Sequence, residues 1–429
     1  MEVKLINDDC ISAMKEMDDD SVDSVVTDPP YGYKFMGKKW DYDVPGIDVW
    51  KECLRVLKPG GHLLSFAGTR TQHRMCVNIE DAGFEIRDMI AWVYGSGFPK
   101  SHNISKAIDK KAGVERVVVG KREHPTLKDV SKIEEQANAA HGSNEWARVW
   151  DLTAPATEEA NQWEGWGTAL KPALEPITVA RKPFNTTIAD NVLKYGTGGL
   201  NIDGCRITTV ENITNHSRSK ESAISKGKYG DSQEQETHQT DSQKLGRFPA
   251  NLIHDGSNEV TELFPSNAGA FAPVRRGHDG KSNGIYGDYY QKGDDGASFR
   301  GDIGSAARFF YCAKASKEDR DEGLEGIEKR QQDESRKQGN PGGDNPRNRG
   351  LQLRYNNHPT VKPTDLMRYL CRLVTPPKGI ILDPYMGSGS TGKGAVKEGF
   401  SFIGIDDDKQ WIEVAQKRIN MARNQLSLF

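Results

Sequence analysis

Between Ile380 and Asp406 the chain carries a pattern that few folds can accommodate. An apolar run, Ile380–Leu382, ends in Asp383-Pro384. A glycine-rich turn, Gly387-Ser388-Gly389-Ser390-Thr391-Gly392, leads into a helical stretch through Glu398, and a second apolar run, Ser401–Ile405, closes on Asp406. Strand, loop, helix and strand in this order predict a parallel unit of a doubly wound α/β sheet. The glycines permit a tight turn and a close approach of backbone to ligand. Gly387 to Gly392 spells G-x-G-x-x-G, which by itself fits any glycine-rich turn. Asp406, nineteen residues after Gly387, stands at a strand tip, where a carboxylate accepts hydrogen bonds from two ribose hydroxyls. The unit predicts a nucleoside-type cofactor. The loop alone leaves a nicotinamide dinucleotide and S-adenosylmethionine both open, and Asp383 favours the latter, because a carboxylate suits a sulfonium zwitterion better than a pyrophosphate. The predicted cofactor residues here are Asp383, Pro384, Tyr385, Gly387, Ser388, Gly389, Thr391, Asp406 and Asp407.

The first hundred residues repeat the alternation. Val3–Ile6, Val22–Thr27, His62–Ala67 and Glu85–Tyr94 read as strands, with helices over Asp9–Met17, Trp50–Leu57 and Thr71–Ala82. Lys58-Pro59-Gly60-Gly61 reads as a breaker. Five segments are expected: 1–104 and 356–429 as the two halves of one α/β domain, 105–170 as a polar insertion, 171–204 as a returning strand (Glu175–Ala180), and 205–355 as a loop-rich module. That module is rich in Gly, Ser, Asn, Asp, Lys and Arg.

A second motif follows the strand Val22–Thr27. In Asp28-Pro29-Pro30-Tyr31 the two prolines fix φ and make the turn rigid. At the carboxyl end of a strand, where open α/β sheets bind ligands, such a turn can hold one carboxylate and one carbonyl at a fixed separation. Those are two acceptors for the two hydrogens of an exocyclic amine, whose lone pair is otherwise delocalised into its ring. The Asp28 side chain and the Pro29 carbonyl would draw the nitrogen toward tetrahedral geometry, Tyr31 would offer a flat face to a base, and Asp28 could take the released proton. A structural Pro-Pro turn with a capping Asp is the bland alternative, and the glycine loop elsewhere in the chain weighs against it.

Together these residues resemble the amino-methyltransferases of DNA, in the beta order with the Asp-Pro-Pro-Tyr motif first and the cofactor loop last. The resemblance covers 1–100 and 356–429 well, and Lys171–Pro183 moderately. It implies a Rossmann-like sheet of seven strands, one antiparallel, in a circularly permuted order that sets Val3–Ile6 beside the Asp406 strand. It places Asp9 and Cys10 at the adenine of S-adenosylmethionine, and Lys362 and Pro363 of His358-Pro359-Thr360-Val361-Lys362-Pro363 at its methionine end. Trp411 falls where an aromatic residue flanks the cofactor adenine, with helix–sheet packing as its plain alternative. Trp92, Phe98 and Lys100 fall at the target-base pocket. Asp rather than Ser at position 28 implies transfer to N6 of a flipped-out adenine in DNA, with N4 of cytosine as the alternative. The long internal segments fit a solitary methylase of phage or prophage type. Double-stranded DNA is the implied partner, read by 205–355, and a homodimer is compatible because many members pair.

Composition narrows this, and the overall charge taken alone weighs against a nucleic-acid partner. The net charge of −3 gives no basic whole, so phosphate contacts need a local stripe of Lys and Arg. The six cysteines are scattered, with no Cys-x-x-Cys pair and no metal-ligand spacing. No long apolar run or basic-then-apolar leader is present, so a cytoplasmic protein of bacterial or phage origin is expected. No paired-carboxylate and Lys constellation of a fused nuclease is evident.

Overall fold

The computed structural model describes residues 1–33, 41–97, 101–123, 149–209, 215–216, 237–238, 241–266, 282–284, 287–289, 304–313, 317–331 and 353–426. Two compact units emerge. One holds Met1–Gly95, Leu174–Arg330 and Arg354–Phe429, the other Ser96–Ala173 and Gln331–Leu353.

The first unit is built on one sheet. Its strands, in chain order, are β1 (Val3–Asn7), β2 (Val22–Thr27), β3 (Leu57–Phe66), β4 (Glu85–Val93), β5 (Leu174–Arg181), β6 (Leu252–His254), β7 (Tyr311–Cys312), β8 (Ile380–Asp383) and β9 (Ser401–Asp406). Their spatial order is β1-β9-β8-β2-β3-β5-β4-β6-β7. All neighbours run parallel except β5, which is antiparallel to both β3 and β4. The single antiparallel strand is as expected, but the sheet has nine strands rather than seven. The two extra strands come from inside 205–355. Ile253 is fully buried, and β6 continues the ladder beside β4 through Ala91 N–H donating to the Asn251 carbonyl. An apolar strand three residues long carries too little periodicity to be read in advance.

The permuted order is realised in register, Val3 opposite Phe402 through Asn7 opposite Asp406. The N-terminal segment therefore completes the sheet edge next to the Asp406 strand. On one face pack α1 (Cys10–Lys15), α2 (Ile47–Val56) and α3 (Gln72–Asp81), burying Met14, Trp50, Cys53, Met75 and Ile79 against Val25, Leu63 and Leu382. On the other lie α4 (Thr364–Val374), α5 (Ser390–Lys397) and α6 (Lys409–Leu426), with Leu366, Leu370, Ala395 and Ile419 against Val26, Ile381 and Phe402. Successive residues of a strand face opposite layers, so Val25 and Val26, or Ile381 and Leu382, serve different cores.

The Lys58–Gly61 segment does not break the chain. β3 starts at Leu57, directly after α2, and passes through it with a register shift between Val22 and Ser24 on its neighbour. Gly60 takes φ +78°, and the segment pairs with Lys182 in both directions, so the turn-forming residues are absorbed as a bulge.

The second unit contains a helix, Ile104–Ala112, an antiparallel hairpin of Val117–Glu123 with Val149–Ala154, and a short helix, Glu158–Gln162. Its centre is Asp109, which accepts from the Arg116 guanidinium, the backbone of Ala156 and Thr157, and the Thr157 hydroxyl. Among the described residues no helix is long and apolar enough to cross a membrane.

Candidate active site

β8 runs to β9 on one side and β2 runs to β3 on the other, so the crevice between the carboxyl ends of β8 and β2 is where the winding reverses. Ligands bind open α/β sheets at such a point. Both motifs end there. Leu382 is paired with Val25, and the Thr27 hydroxyl donates to Asp383 Oδ1 at 2.7 Å.

Asp383 is buried, and its oxygens are taken by the protein itself. Thr27 and the Tyr385 N–H donate to Oδ1, and the Thr391 hydroxyl to Oδ2. Burial pushes its carboxyl up to about 6 against those donors. The carboxylate thus staples the glycine loop to the end of β2. Gly387 has φ +51°, and a Cβ there would lie 2.9 Å from His358 Nε2. Gly389 has φ +80°, with Ala415 as close as 2.7 Å to a Cβ. A side chain at either position would fill the cradle or displace its wall. Asp406 Oδ2 accepts from Gly387 N–H at 2.8 Å and Oδ1 from Asp408 N–H at 3.0 Å. Each oxygen keeps a second lone pair for a hydroxyl donor. Burial raises the Asp406 carboxyl to about 6. These features fit a nucleoside cofactor.

The remaining predicted cofactor residues cluster around this loop. Ser388 is buried, and its carbonyl accepts from the buried Arg418 guanidinium at 2.7 Å. Pro384 lies in the buried turn between Asp383 and Tyr385, and Asp407 is exposed, its carbonyl held by the Asn7 amide. Asp9 caps α1 just past the end of β1, and the Cys10 thiol is hydrogen-bonded to the Tyr385 hydroxyl. Trp411 packs edge-on against His358 with ring centroids 4.6 Å apart.

Across the crevice, Tyr31 O–H donates to Asp28 Oδ1 at 2.7 Å and lies 3.1 Å from Glu175 Oε2. The Lys362 ammonium sits 2.5 Å from Asp28 Oδ2 and 3.3 Å from Glu175 Oε2. Asp41 fixes the turn by accepting from Tyr31 and Gly32 N–H, both at 2.8 Å, and the Thr71 hydroxyl donates to the Tyr31 carbonyl. Burial raises the Asp28 carboxyl, with Lys362 opposing and Glu175 adding to the rise. Burial alone would push Lys362 down, but Asp28 and Glu175 reverse the sign and its ammonium is held above its ordinary range.

A profile of the N6/N4 DNA methylase family matches residues 22–417. The chain belongs to that family. Among curated proteins the methylase is 24% identical over 241 residues to the type II methyltransferase M.HindIII of Haemophilus influenzae, covering 46% of this chain and 64% of that protein. It is 39% identical over 79 residues to the DNA adenine methyltransferase YhdJ of Escherichia coli, covering 18% and 27%. The matches span less than two thirds of either relative. Among solved structures, the M1.HpyAVI–SAM complex aligns over 97% of this chain and 99% of that chain at 14% identity, with a TM-score of 0.38. Membership of a methylase family over both motifs removes the nicotinamide reading of the glycine loop.

Three predicted residues of the methylase, Lys362, Tyr31 and Trp92, make contacts that their motifs did not announce. Lys362, predicted at the methionine end of a cofactor, directs its ammonium to Asp28 and Glu175, while Pro363 caps α4. Tyr31 turns its hydroxyl into the cluster, with Lys362 5.4 Å from its ring centroid. Trp92, predicted at the base pocket, is buried directly opposite Glu175 on the β4–β5 ladder and packs against Tyr94 with the rings tilted by 44° and their centroids 4.9 Å apart. Phe98 and Lys100 lie outside the described residues. Glu175 is the site residue that motif reading missed. Its only signal was a carboxylate opening an otherwise apolar strand.

Proposed function

We propose that this methylase transfers a methyl group from S-adenosylmethionine to N6 of a flipped-out adenine in DNA. The observation that carries the reading is the Thr27–Asp383 hydrogen bond, which joins the ends of β2 and β8 and so sets the Asp28–Tyr31 turn beside the glycine loop. The turn lies at the strand ends with its carboxylate raised by burial, as a proton acceptor in a closed site requires. Asp at position 28, and the adenine specificity in the name of YhdJ, favour adenine over cytosine.

The cofactor, when bound, supplies a methyl carried on a sulfonium, whose sulfur keeps the S–C electron pair as the amine lone pair forms the new N–C bond. Gly387 and Gly389 would admit its backbone-facing side, and Asp406 its ribose hydroxyls. Asp28 accepts one amine hydrogen and the Pro29 carbonyl the other, which localises the lone pair. Asp28 then holds the released proton until it passes to solvent. Residues 205–355 are assigned the reading of base edges, and the cytoplasm is the expected place of action.

The test is incorporation of labelled methyl into duplex DNA, followed by mapping of the modified base. N6-methyladenine made by wild type and lost in Asp28→Ala supports the reading. N4-methylcytosine, or methyl placed only on RNA or protein, overturns it.

A further inference from the structure

The Asp28 cluster contains more negative charge than a single acceptor needs. Asp28 and Glu175 face one ammonium, Lys362. Among the described residues around them, the Tyr31 and Tyr94 phenols have their ionisation pushed up by burial, burial and nearby cations push the His358 imidazole down to about 3, and the Asp383 carboxyl lies near enough to Asp28 to repel it. Among the described residues the cluster therefore sets more carboxylates than ammonium groups around Asp28.

The hydrogen bonds are also contested. Asp28 uses one oxygen for Tyr31 and the other for Lys362. Both donors are already within reach of Glu175 Oε2, at 3.1 and 3.3 Å. A phenol has one proton to give, so Tyr31 serves one carboxylate at a time. The Tyr94 hydroxyl is a further hydrogen-bonding partner of Glu175. Each charged bond that Asp28 accepts drains the basicity it needs toward an amine.

We propose that Glu175 is a positioning residue for methyl transfer. It takes over the Tyr31 hydroxyl and shares the Lys362 ammonium when a target amine engages Asp28, and its charge offsets the positive charge that develops on the methylated nitrogen. This assignment rests on the amino-methyl transfer reading above. Attack by the amine leaves a cationic nitrogen until its proton moves to Asp28. A second carboxylate beside Asp28 stabilises that cation more than it stabilises the neutral amine, which is the differential binding that lowers a barrier.

The experiment compares wild type with Glu175→Gln and Glu175→Asp. Gln keeps a carbonyl acceptor of similar size and removes the charge; Asp keeps the charge on a shorter arm. Wild type is assayed first on adenine-containing duplex DNA. For Glu175→Gln, kcat falls about tenfold to a hundredfold, the reach of one charged hydrogen-bonding group. KM for DNA and for cofactor stays within about twofold, and Glu175→Asp recovers part of kcat. The acid limb of the kcat profile moves to lower pH, because the Glu175 charge is one cause of the raised Asp28 carboxyl. The other groups acting on Asp28 (Lys362, Tyr31 and Asp383) are unchanged by the substitution. In a Tyr31→Phe background Glu175→Gln costs less than in wild type, since the shared donor is gone.

A Glu175→Gln enzyme with wild-type kcat and pH profile overturns the assignment. So does a fall in kcat that only tracks lost cofactor binding or a lower melting temperature. Should the Gln variant not fold, the kcat and acid limb of Glu175→Asp decide by the same criteria. Absence of transfer by wild type overturns the underlying function as well, so the two failures are told apart.

Discussion

Lys362 and Lys393 are both buried, and each places its ammonium between two carboxylates: Asp28 and Glu175 for the first, Asp319 and Glu322 for the second. The chemistry of the trios is the same, yet their electrostatics diverge. Burial would raise the Asp319 carboxyl, but Lys393 together with the Thr364 hydroxyl and N–H holds it below its ordinary range. Glu322 is held low as well, by Lys393 and Gln425. Asp28 is raised instead, since it lies deeper, has fewer donors and feels Glu175 beside it. A satisfied trio is a clamp, and an under-satisfied one keeps a base in reserve.

The clamp's position gives it a use. Asp319 binds the start of α4 at Thr364 and α5 at Lys393, and its carbonyl accepts from Arg418 of α6, which also holds the Ser388 carbonyl. It braces the frame of the glycine loop from both sides. The short helix that supplies it, Lys317–Asp321, comes from the stretch that reads as a loop-rich module.

Matched substitutions should separate the trios most sharply. Asp28→Asn is expected to cost about 10³-fold in single-turnover methyl transfer, within the range of a positioned proton acceptor, with little change in the urea midpoint. Asp319→Asn should do the reverse. Breaking a buried pair costs about 3–5 kcal/mol of unfolding free energy, while transfer at saturating cofactor stays within about threefold. Both variants moving the same observable would erase the distinction.

Gly387→Ala probes the loop that lies between the trios. Its φ of +51° and the 2.9 Å approach to His358 Nε2 put any Cβ under strain. A left-handed conformation costs a non-glycine residue about 1–2 kcal/mol, so cofactor affinity by calorimetry should weaken about tenfold. Unchanged affinity would mean that the loop relaxes freely and needs no bracing.

The smallest effect is a pH dependence with opposite signs in two measurements. Asp383 and Asp406 have folded-state values of about 6, above the unfolded range. Between about pH 4 and 6 the folded state therefore binds more protons, and their contribution to stability of the unliganded protein rises as pH falls through that window. Cofactor affinity should fall over the same window, because a protonated Asp406 loses acceptor capacity for ribose hydroxyls. Asp319, Glu322 and Glu398, held low, contribute stability that is present above the unfolded carboxylate range and is lost as pH falls below about 4. Melting curves and cofactor titrations from about pH 3 to 7 would expose a failure of either sign.

Much of the fold was legible because its signals are local. Val22–Thr27 is apolar and β-branched with both faces to cover, and the two prolines after it stop the strand. The glycine loop is bounded by strands whose register then follows from burial. The passage of β3 through Pro59-Gly60-Gly61 was not legible, because composition at a turn does not say whether a neighbouring strand will hold it in the ladder. Nor were β6 and β7, whose strand character comes from β6 pairing with β4 and β7 pairing with β6, and not from their few residues. Glu175 was hidden for the same reason: nothing in its own neighbourhood points to residue 28.

What the sequence by itself determined is which segments become strands, helices and rigid turns, and that two motif turns stand at strand ends. Backbone stiffness and apolar periodicity act over a few residues, so a linear reading captures them. The tertiary structure alone decided which charges meet. Lys362 reaches Asp28 across 334 positions and Tyr31 reaches Glu175 across 144. Such pairings depend on strand order and register, and the depth of burial that sets their protonation exists only once both faces of the sheet are covered.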